Sequence, residues 1–284
     1  MPIKVENIYY TYQTGTPFEH TALKNVSMFV ENGDIFGIMG AAGSGKSTLL
    51  QMLNGLLLPE RGKVMIDDQL TSQLKGRQMV ELRQKVGLVV QFPEQQIFQL
   101  TIGSDIAFGP QNLDLDRDDV EKRVEWAMNM VNLPYSKFRN RSPQQLSSGE
   151  KRRVAIAGVL AMQPEYLILD EPTAGLDARG RNELLGNLRR LNGESQTTIV
   201  IVSHHLTELL AVCNHLLVLV NGEVFKQGDI WTVLDKREEL VRQGFELPVS
   251  RDVVDRLNHR GWDINTQVRN PHEASREIAR VLGE

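Results

Sequence analysis

The stretch Gly40-Ala41-Ala42-Gly43-Ser44-Gly45-Lys46-Ser47-Thr48 follows the apolar run Ile35 to Met39 and precedes the helical run Leu49 to Leu56. It is a full match to the P-loop pattern, and the strand before it and helix after it supply the setting that pattern requires. Its glycines let backbone N–H groups wrap a phosphate, and the helix start adds partial positive charge. Lys46 is placed to reach the β- and γ-phosphates, and Ser47 to ligate Mg²⁺. A nucleotide is therefore expected here, but a P-loop alone does not specify the task.

The sequence around this stretch has the alternation of an α/β protein. Ile35 to Met39, Val86 to Val90, Tyr166 to Leu169, Thr198 to Val202 and His215 to Val220 are short runs, nearly all apolar throughout. Such runs suit strands covered on both faces, as in a parallel sheet. Val120, Val124, Ala127, Met128 and Val131 recur at helical spacing, as do Leu184, Leu185, Leu188 and Leu191, so each set lays one stripe on a core. From about Gln95 to Leu160 there is helical pattern and little strand signal, which predicts a helical lobe inserted between two strands. After about Gly228 the pattern changes. Asp229 can cap a helix running to about Arg242; Pro248 and Ser250 open another, with Val253, Val254 and Leu257 inward, and Gly261 ends it. This predicts a small C-terminal appendage over 229–284.

Composition limits the partners. The 32 basic and 36 acidic residues leave a formal charge of −4, so no basic field favours nucleic acid or an anionic lipid surface, and phosphate binding must be local. The single cysteine, Cys213, can form neither an intrachain disulfide nor a cysteine zinc cluster, which fits a reducing compartment. Met1 to Tyr10 carries Lys4, Glu6 and Asn7, and Leu209 to Val220 is interrupted by Asn214 and His215. No window reaches the roughly 18 to 20 apolar residues of a spanning helix, so neither a membrane crossing nor an export signal is expected.

Tyr166-Leu167-Ile168-Leu169-Asp170-Glu171 drives a strand into the sheet and delivers two carboxylates at its C-terminal end, where ligands of such sheets gather. Asp170 is expected to hold the Mg²⁺ shell, and Glu171 to orient or deprotonate an attacking water. Gln91 and His204 also follow strands and should project toward the same edge, although His205 competes with His204 on periodicity alone. His215 and the other histidines are read as structural. A further stretch, Leu146-Ser147-Ser148-Gly149-Glu150, precedes Lys151-Arg152-Arg153 and a helical run to Leu160. Ser148 or Ser147 can cap that helix, and hydroxyl, free N–H groups and helix dipole make a second anion site. Because Lys46 already supplies one, the second can serve a nucleotide bound by another chain.

At this point the sequence resembles the ABC-type ATPases over about its first 230 residues. In that family two nucleotide-binding domains pair head to tail, each ATP lying between one chain's P-loop and the other's signature motif. The resemblance implies a P-loop fold with a mainly parallel core sheet, an N-terminal antiparallel β portion, a helical subdomain at about 95–160 within a 1–228 domain, and the appendage. Leu146 to Glu150 matches the signature, with Ser147 and Gly149 expected at the partner's γ-phosphate. Ser148 stands where glycine is usual and Glu150 where glutamine is usual. Gln91 matches the Q-loop glutamine, implied to serve the metal and the catalytic step. Ala174-Gly175-Leu176-Asp177 matches the D-loop and His204 the switch histidine, which selects it over His205. Tyr12 sits where the family stacks an aromatic on adenine, with Tyr10 two residues away.

Val89-Val90-Gln91-Phe92-Pro93-Glu94-Gln95-Gln96-Ile97-Phe98 and Asp105 to Leu113 resemble, more narrowly, the ATPases of energy-coupling factor (ECF) transporters, in particular the second of the paired ATPases, as do Tyr12 to Glu19 and the appendage. That group imports vitamins and transition-metal ions. The resemblance implies a second ATPase subunit, in a hetero- or homodimer, a transmembrane coupling subunit, a substrate-binding membrane subunit and a peripheral position on the cytoplasmic face of the cell membrane. Closure of the ATPase pair on ATP would pass through Gln91 and the lobe, with Phe92, Pro93, Glu94 and Phe98 as the coupling surface. A non-transport ABC ATPase acting on nucleic acid or ribosomes fits less well, for lack of a basic footprint. A small-molecule kinase leaves Leu146 to Glu150 without a task.

Overall fold

A computed structural model describes residues 2–283. The chain opens with β1 (Ile3–Tyr12) and β2 (His20–Val30), then β3 (Ile35–Gly40), the P-loop and α1 (Lys46–Leu53), followed by β4 (Arg61–Ile66), β5 (Gln69–Leu70), α2 (Arg77–Lys85) and β6 (Val86–Val89). No strand lies between β6 and β7 (Tyr166–Asp170) among the described residues. That interval holds α3 (Ile102–Ala107), α4 (Arg117–Met130), α5 (Tyr135–Phe138) and α6 (Ser148–Leu160). Beyond β7 come α7 (Ala178–Ser195), β8 (Thr198–Val202), α8 (Leu206–Val212), β9 (His215–Val220) and β10 (Glu223–Asp229). The C-terminal part carries α9 (Ile230–Leu234), α10 (Arg237–Arg242), α11 (Val249–His259) and α12 (Pro271–Leu282).

The strands form two sheets, a six-stranded one in the order β10-β9-β3-β8-β7-β6 and a four-stranded antiparallel one in the order β2-β1-β4-β5. In the larger sheet β9, β3, β8, β7 and β6 are parallel, and only β10 runs against its neighbour. Side chains alternate across a strand, and here both faces are buried. Tyr166 and Ile168 of β7 join Val5, Ile8, Leu49 and Leu53 between the sheets, whereas Leu167 and Leu169 join Val124, Ala157, Leu188 and Leu209 under the helices. Continuous apolar strands are the consequence of this two-sided cover.

The helical stripes are buried as their spacing requires, from Val120 to Met128 on α4 and Leu184 to Leu191 on α7. The C-terminal part differs from its sequence pattern. The helix capped by Asp229, whose side chain accepts from the N–H groups of Trp231 and Thr232, stops after Leu234, and a second one starts at Arg237. Val254 is buried but Val253 is exposed, because α11 packs on α12 through Val254, Leu257, Ala274 and Ile278. Asn54 to Leu56, the end of the expected helical run, also fall outside α1, which ends at Leu53. No helix among the described residues is long and apolar enough to cross a membrane.

Candidate active site

Because β3, β6, β7 and β8 run parallel, their C-terminal ends meet along one edge, and the segments that follow them share a cavity of about 590 Å³. Gly40, Ala41, Ala42, Gly43, Lys46, Ser47, Gln91, Asp170, Glu171 and His204 line it. Those are the residues expected from separate stretches of sequence, brought together by the sheet. Ser44, Gly45 and Thr48 do not line it. Gly45 is the N-cap of α1 at φ +101°, and no side chain caps the helix. A Cβ at Gly45 would lie 2.4 Å from the carbonyl oxygen of Ala22, and one at Gly40 would lie 2.5 Å from that of Leu219. Glycine is required at both for steric reasons, and the N–H groups of the first turn of α1 remain without a side-chain acceptor.

The charged groups are arranged around the loop. Lys46 Nζ donates to the carbonyls of Gly40 and Ala41, both at 2.8 Å. Its ammonium is pulled below the usual lysine range by burial, with Glu171 and Asp170 opposing. Ser47 Oγ donates to Asp170 Oδ2 at 2.7 Å. Burial pushes the Asp170 carboxyl up, against the Ser47 hydrogen bond. Mg²⁺ takes hard oxygen donors in octahedral geometry, with one or two carboxylates, phosphates and waters. A serine hydroxyl and a carboxylate already side by side fit that donor set, and no group of three or more His, Cys, Asp or Glu among the described residues offers another metal site.

Glu171 lies just past β7 at φ +50°, in the left-handed region that non-glycine residues rarely adopt. Its Oε1 accepts from the backbone N–H of His204 at 3.0 Å and lies 2.7 Å from His204 Nδ1. The other oxygen, Oε2, is buried with no hydrogen-bond partner among the described residues. One oxygen is thus held and the other remains an open acceptor. His205 instead lines a separate cavity with Arg181, Glu208 and Arg269, so geometry separates the two histidines.

Tyr12 is outside the cavity wall. Its hydroxyl lies 3.2 Å from Thr48 Oγ1, and its ring meets Tyr10 edge to face at 4.9 Å. Leu146 to Glu150 and Asp177 do not line the cavity either. Ser147, not Ser148, caps α6, its Oγ accepting from the Glu150 N–H at 3.3 Å, while Glu150 Oε2 accepts from the Ser147 N–H and Oγ, both at 2.9 Å. These bonds to Ser147 hold the Glu150 carboxyl below its ordinary range. A Cβ at Gly149 would lie 3.3 Å from Leu176 of the 174–177 turn, whose Asp177 caps α7 through the Gly180 N–H.

Two parts of the site were not legible in the sequence reading. Gln243, Gly244 and Phe245, from the C-terminal part, close one side of the cavity. Arg152, 3% exposed, donates to the carbonyls of Glu171 and Ala174 and pairs with Glu94. Its place four and eight residues before the buried Ile156 and Leu160 was the available signal. Glu94 turns toward Arg152 with its side chain 22% exposed, and Pro93 is buried. Phe92 and Phe98 are exposed, 49% and 64%.

The ABC transporter family matches residues 23–174. The energy-coupling factor transporter ATP-binding protein EcfA2 of Clostridium acetobutylicum is 45% identical over 99% of this chain and 98% of its own, and that of Symbiobacterium thermophilum is 44% identical over 99% and 97%. Among solved structures, cbiO1 from Clostridium perfringens, part of the ABC transporter complex cbiONQ, is 34% identical with a TM-score of 0.75, covering 91% of this chain and 98% of its own. The dimeric post-hydrolysis state of the ATP-binding cassette MJ0796 bound to ADP and Pi is 31% identical with a TM-score of 0.74, covering 80% and 98%. With the P-loop, the paired carboxylates and a near full-length likeness in agreement, the chain belongs to the ABC transporter family, as an ABC ATPase among the energy-coupling factor transporter ATP-binding proteins.

Proposed function

We propose that this chain binds ATP at its P-loop and hydrolyses it as one half of an ATPase pair that powers an ECF-type importer. The observation that carries the reading is the convergence of Lys46, Ser47, Gln91, Asp170, Glu171 and His204 on one cavity. Lys46 and the loop N–H groups of Gly43, Ser44, Gly45 and Thr48 hold the phosphates, while Tyr12 steadies the adenine end. Ser47, Asp170 and Gln91 would hold Mg²⁺, which when bound neutralises phosphate charge. Glu171 Oε2 takes a proton from water, and His204 fixes the rotamer of Glu171 through Oε1. Ser147 and Gly149, with Leu146, Ser148, Glu150 and Asp177 around them, present the α6 start to the ATP of a second ABC ATPase.

Residues 1–228 form the nucleotide-binding domain in this reading, with the lobe at about 95–160 as its helical subdomain. Phe92, Phe98, Leu100 and Phe108 are exposed around the lobe's first helix, and we assign them the contact with a transmembrane coupling subunit. A substrate-binding membrane subunit then selects the vitamin or transition-metal ion. The ATPase sits peripherally on the cytoplasmic face of the cell membrane. The 229–284 appendage steadies the ATPase pair, which its exposed Val241, Val249 and Leu282 support.

The test is Glu171→Gln in the assembled complex. ATP binding should persist and turnover should fall about 10²- to 10⁴-fold, the contribution of one positioned base. Near-normal hydrolysis would defeat the assignment.

A further inference from the structure

Arg152 is a buried charged side chain, and three acceptors on two separate segments satisfy it. Its guanidinium donates through Nη1 to the Glu171 carbonyl at 3.2 Å and to the Ala174 carbonyl, and through Nε to Glu94 Oε2 at 3.3 Å. The first two acceptors belong to the turn after β7, which holds Glu171 at φ +50° and closes with an Ala174 N–H bond to the Glu171 carbonyl at 3.2 Å. The third belongs to the 93–96 turn at the entrance to the helical lobe, two residues past the cavity-lining Phe92. Glu94 is the only carboxylate salt-bridged to Arg152 among the described residues.

We propose that the Arg152–Glu94 pair is the link that ties the position of the helical lobe to the backbone turn carrying Glu171; the proposal rests on the ATPase reading above. A planar guanidinium with fixed donor directions holds three acceptors in one geometry, which a lysine ammonium does not. A buried cation cannot leave its carboxylate without uncompensated charge. Rotation of the lobe carries Arg152 on α6 with it, and must therefore either re-aim the Glu171 turn and the 93–96 turn or break the bonds of Arg152 to them. Arg152 and Glu94 are positioning residues: neither touches the reacting atoms, and each acts through Glu171.

The experiment is a distance measurement on the full-length chain with its partner ATPase. Asp118→Cys on α4 and Glu223→Cys on β10, both exposed, take spin labels, while the native Cys213 is fully buried and stays unlabelled. Added Mg-ATP should shift the lobe-to-core distance in this background. With Glu94→Gln added, ATP should still bind within about twofold of the parent affinity, the distance distribution should broaden, and the shift should disappear. Turnover should fall about tenfold with KM unchanged, the sign of a perturbed Glu171 turn and not of lost binding. Glu94→Asp, which restores the charge, should recover part of the shift, and Arg152→Lys should not. A purely structural pair would lower melting temperature in all three variants and leave the ATP-dependent shift in place, which would overturn the proposal. A lobe that stays fixed when the parent binds ATP would overturn it too. Failure of the parent to bind ATP would sink the ATPase reading, and this proposal with it.

Discussion

Two helices in this chain begin at small, polar, glycine-bearing sequence, and they begin differently. At α1 the N-cap is a glycine at φ +101° with no side-chain acceptor, and the loop folds around a lysine drawn in by Gly40 and Ala41. At α6 the N-cap is Ser147, and Glu150 closes a reciprocal capping box on it. The first start has no side-chain acceptor for its N–H groups, whereas at the second the capping box satisfies the N–H groups of Ser147 and Glu150 and leaves those of Ser148 and Gly149 without a side-chain acceptor. In the proposed reading the first holds phosphate within the chain. The other is stable alone and, in the proposed reading, meets phosphate only when a second ATPase brings it.

The contrast can be broken by substitution. Gly45→Ala should have the largest effect, because a Cβ there is both 2.4 Å from a carbonyl oxygen and on a left-handed backbone. About 3 kcal/mol of stability should be lost, read by chemical denaturation; an unperturbed midpoint would mean the loop can relax around a side chain. Lys46→Ala removes charge-assisted bonds worth about 1.5 to 3 kcal/mol, so ATP affinity of the single chain should fall about 10- to 100-fold in calorimetry. Ser147→Ala should leave that affinity unchanged, cost about 1 kcal/mol through the lost cap, and abolish ATP-dependent pairing in sedimentation. Equal loss of single-chain ATP binding in both variants would erase the distinction between the two helix starts.

The smallest effect sharpens the same comparison through pH. Burial raises the Asp170 carboxyl, and a metal ligand must be deprotonated. Turnover should therefore decline on acidification at a higher pH than an unperturbed aspartate would give, and raised Mg²⁺ should move the decline to lower pH. The stability sign is opposite. A group whose folded-state pKa is raised contributes stability below its unfolded pKa that is lost as pH rises through the folded value. Asp170→Asn should accordingly raise the melting temperature at neutral pH while turnover is lost. Glu150, held low by Ser147, has the reverse sign, its contribution being present at neutral pH and lost as pH falls toward its folded pKa.

Legibility followed the range of the interaction. The five parallel strands and the α4 and α7 stripes were readable because burial on one or two faces imposes a period on neighbouring residues. The P-loop was readable because a phosphate cradle needs its glycines, lysine and hydroxyl contiguous. The C-terminal part was less so. Nothing periodic marks the break at Asp235 and Lys236 between α9 and α10, where Arg251 reaches back to Asp235 at 2.8 Å. The inward turn of Glu94 escaped for the same reason: its partner lies 58 residues on, and a lone acid beside exposed phenylalanines reads as surface.

By itself, then, the sequence determined the sheet-forming runs, the phosphate loop, the two carboxylates at the C-terminal end of β7 and the family to which they belong, since all rest on contiguous residues or a fixed spacing. Only the tertiary structure decided which oxygen of Glu171 is held and which is open, that Ser147 caps α6, that Phe245 closes the cavity, and that Arg152 faces inward to join three elements. Those outcomes depend on where distant segments meet, and a buried charge settles on whichever partners the packed chain brings within hydrogen-bond reach.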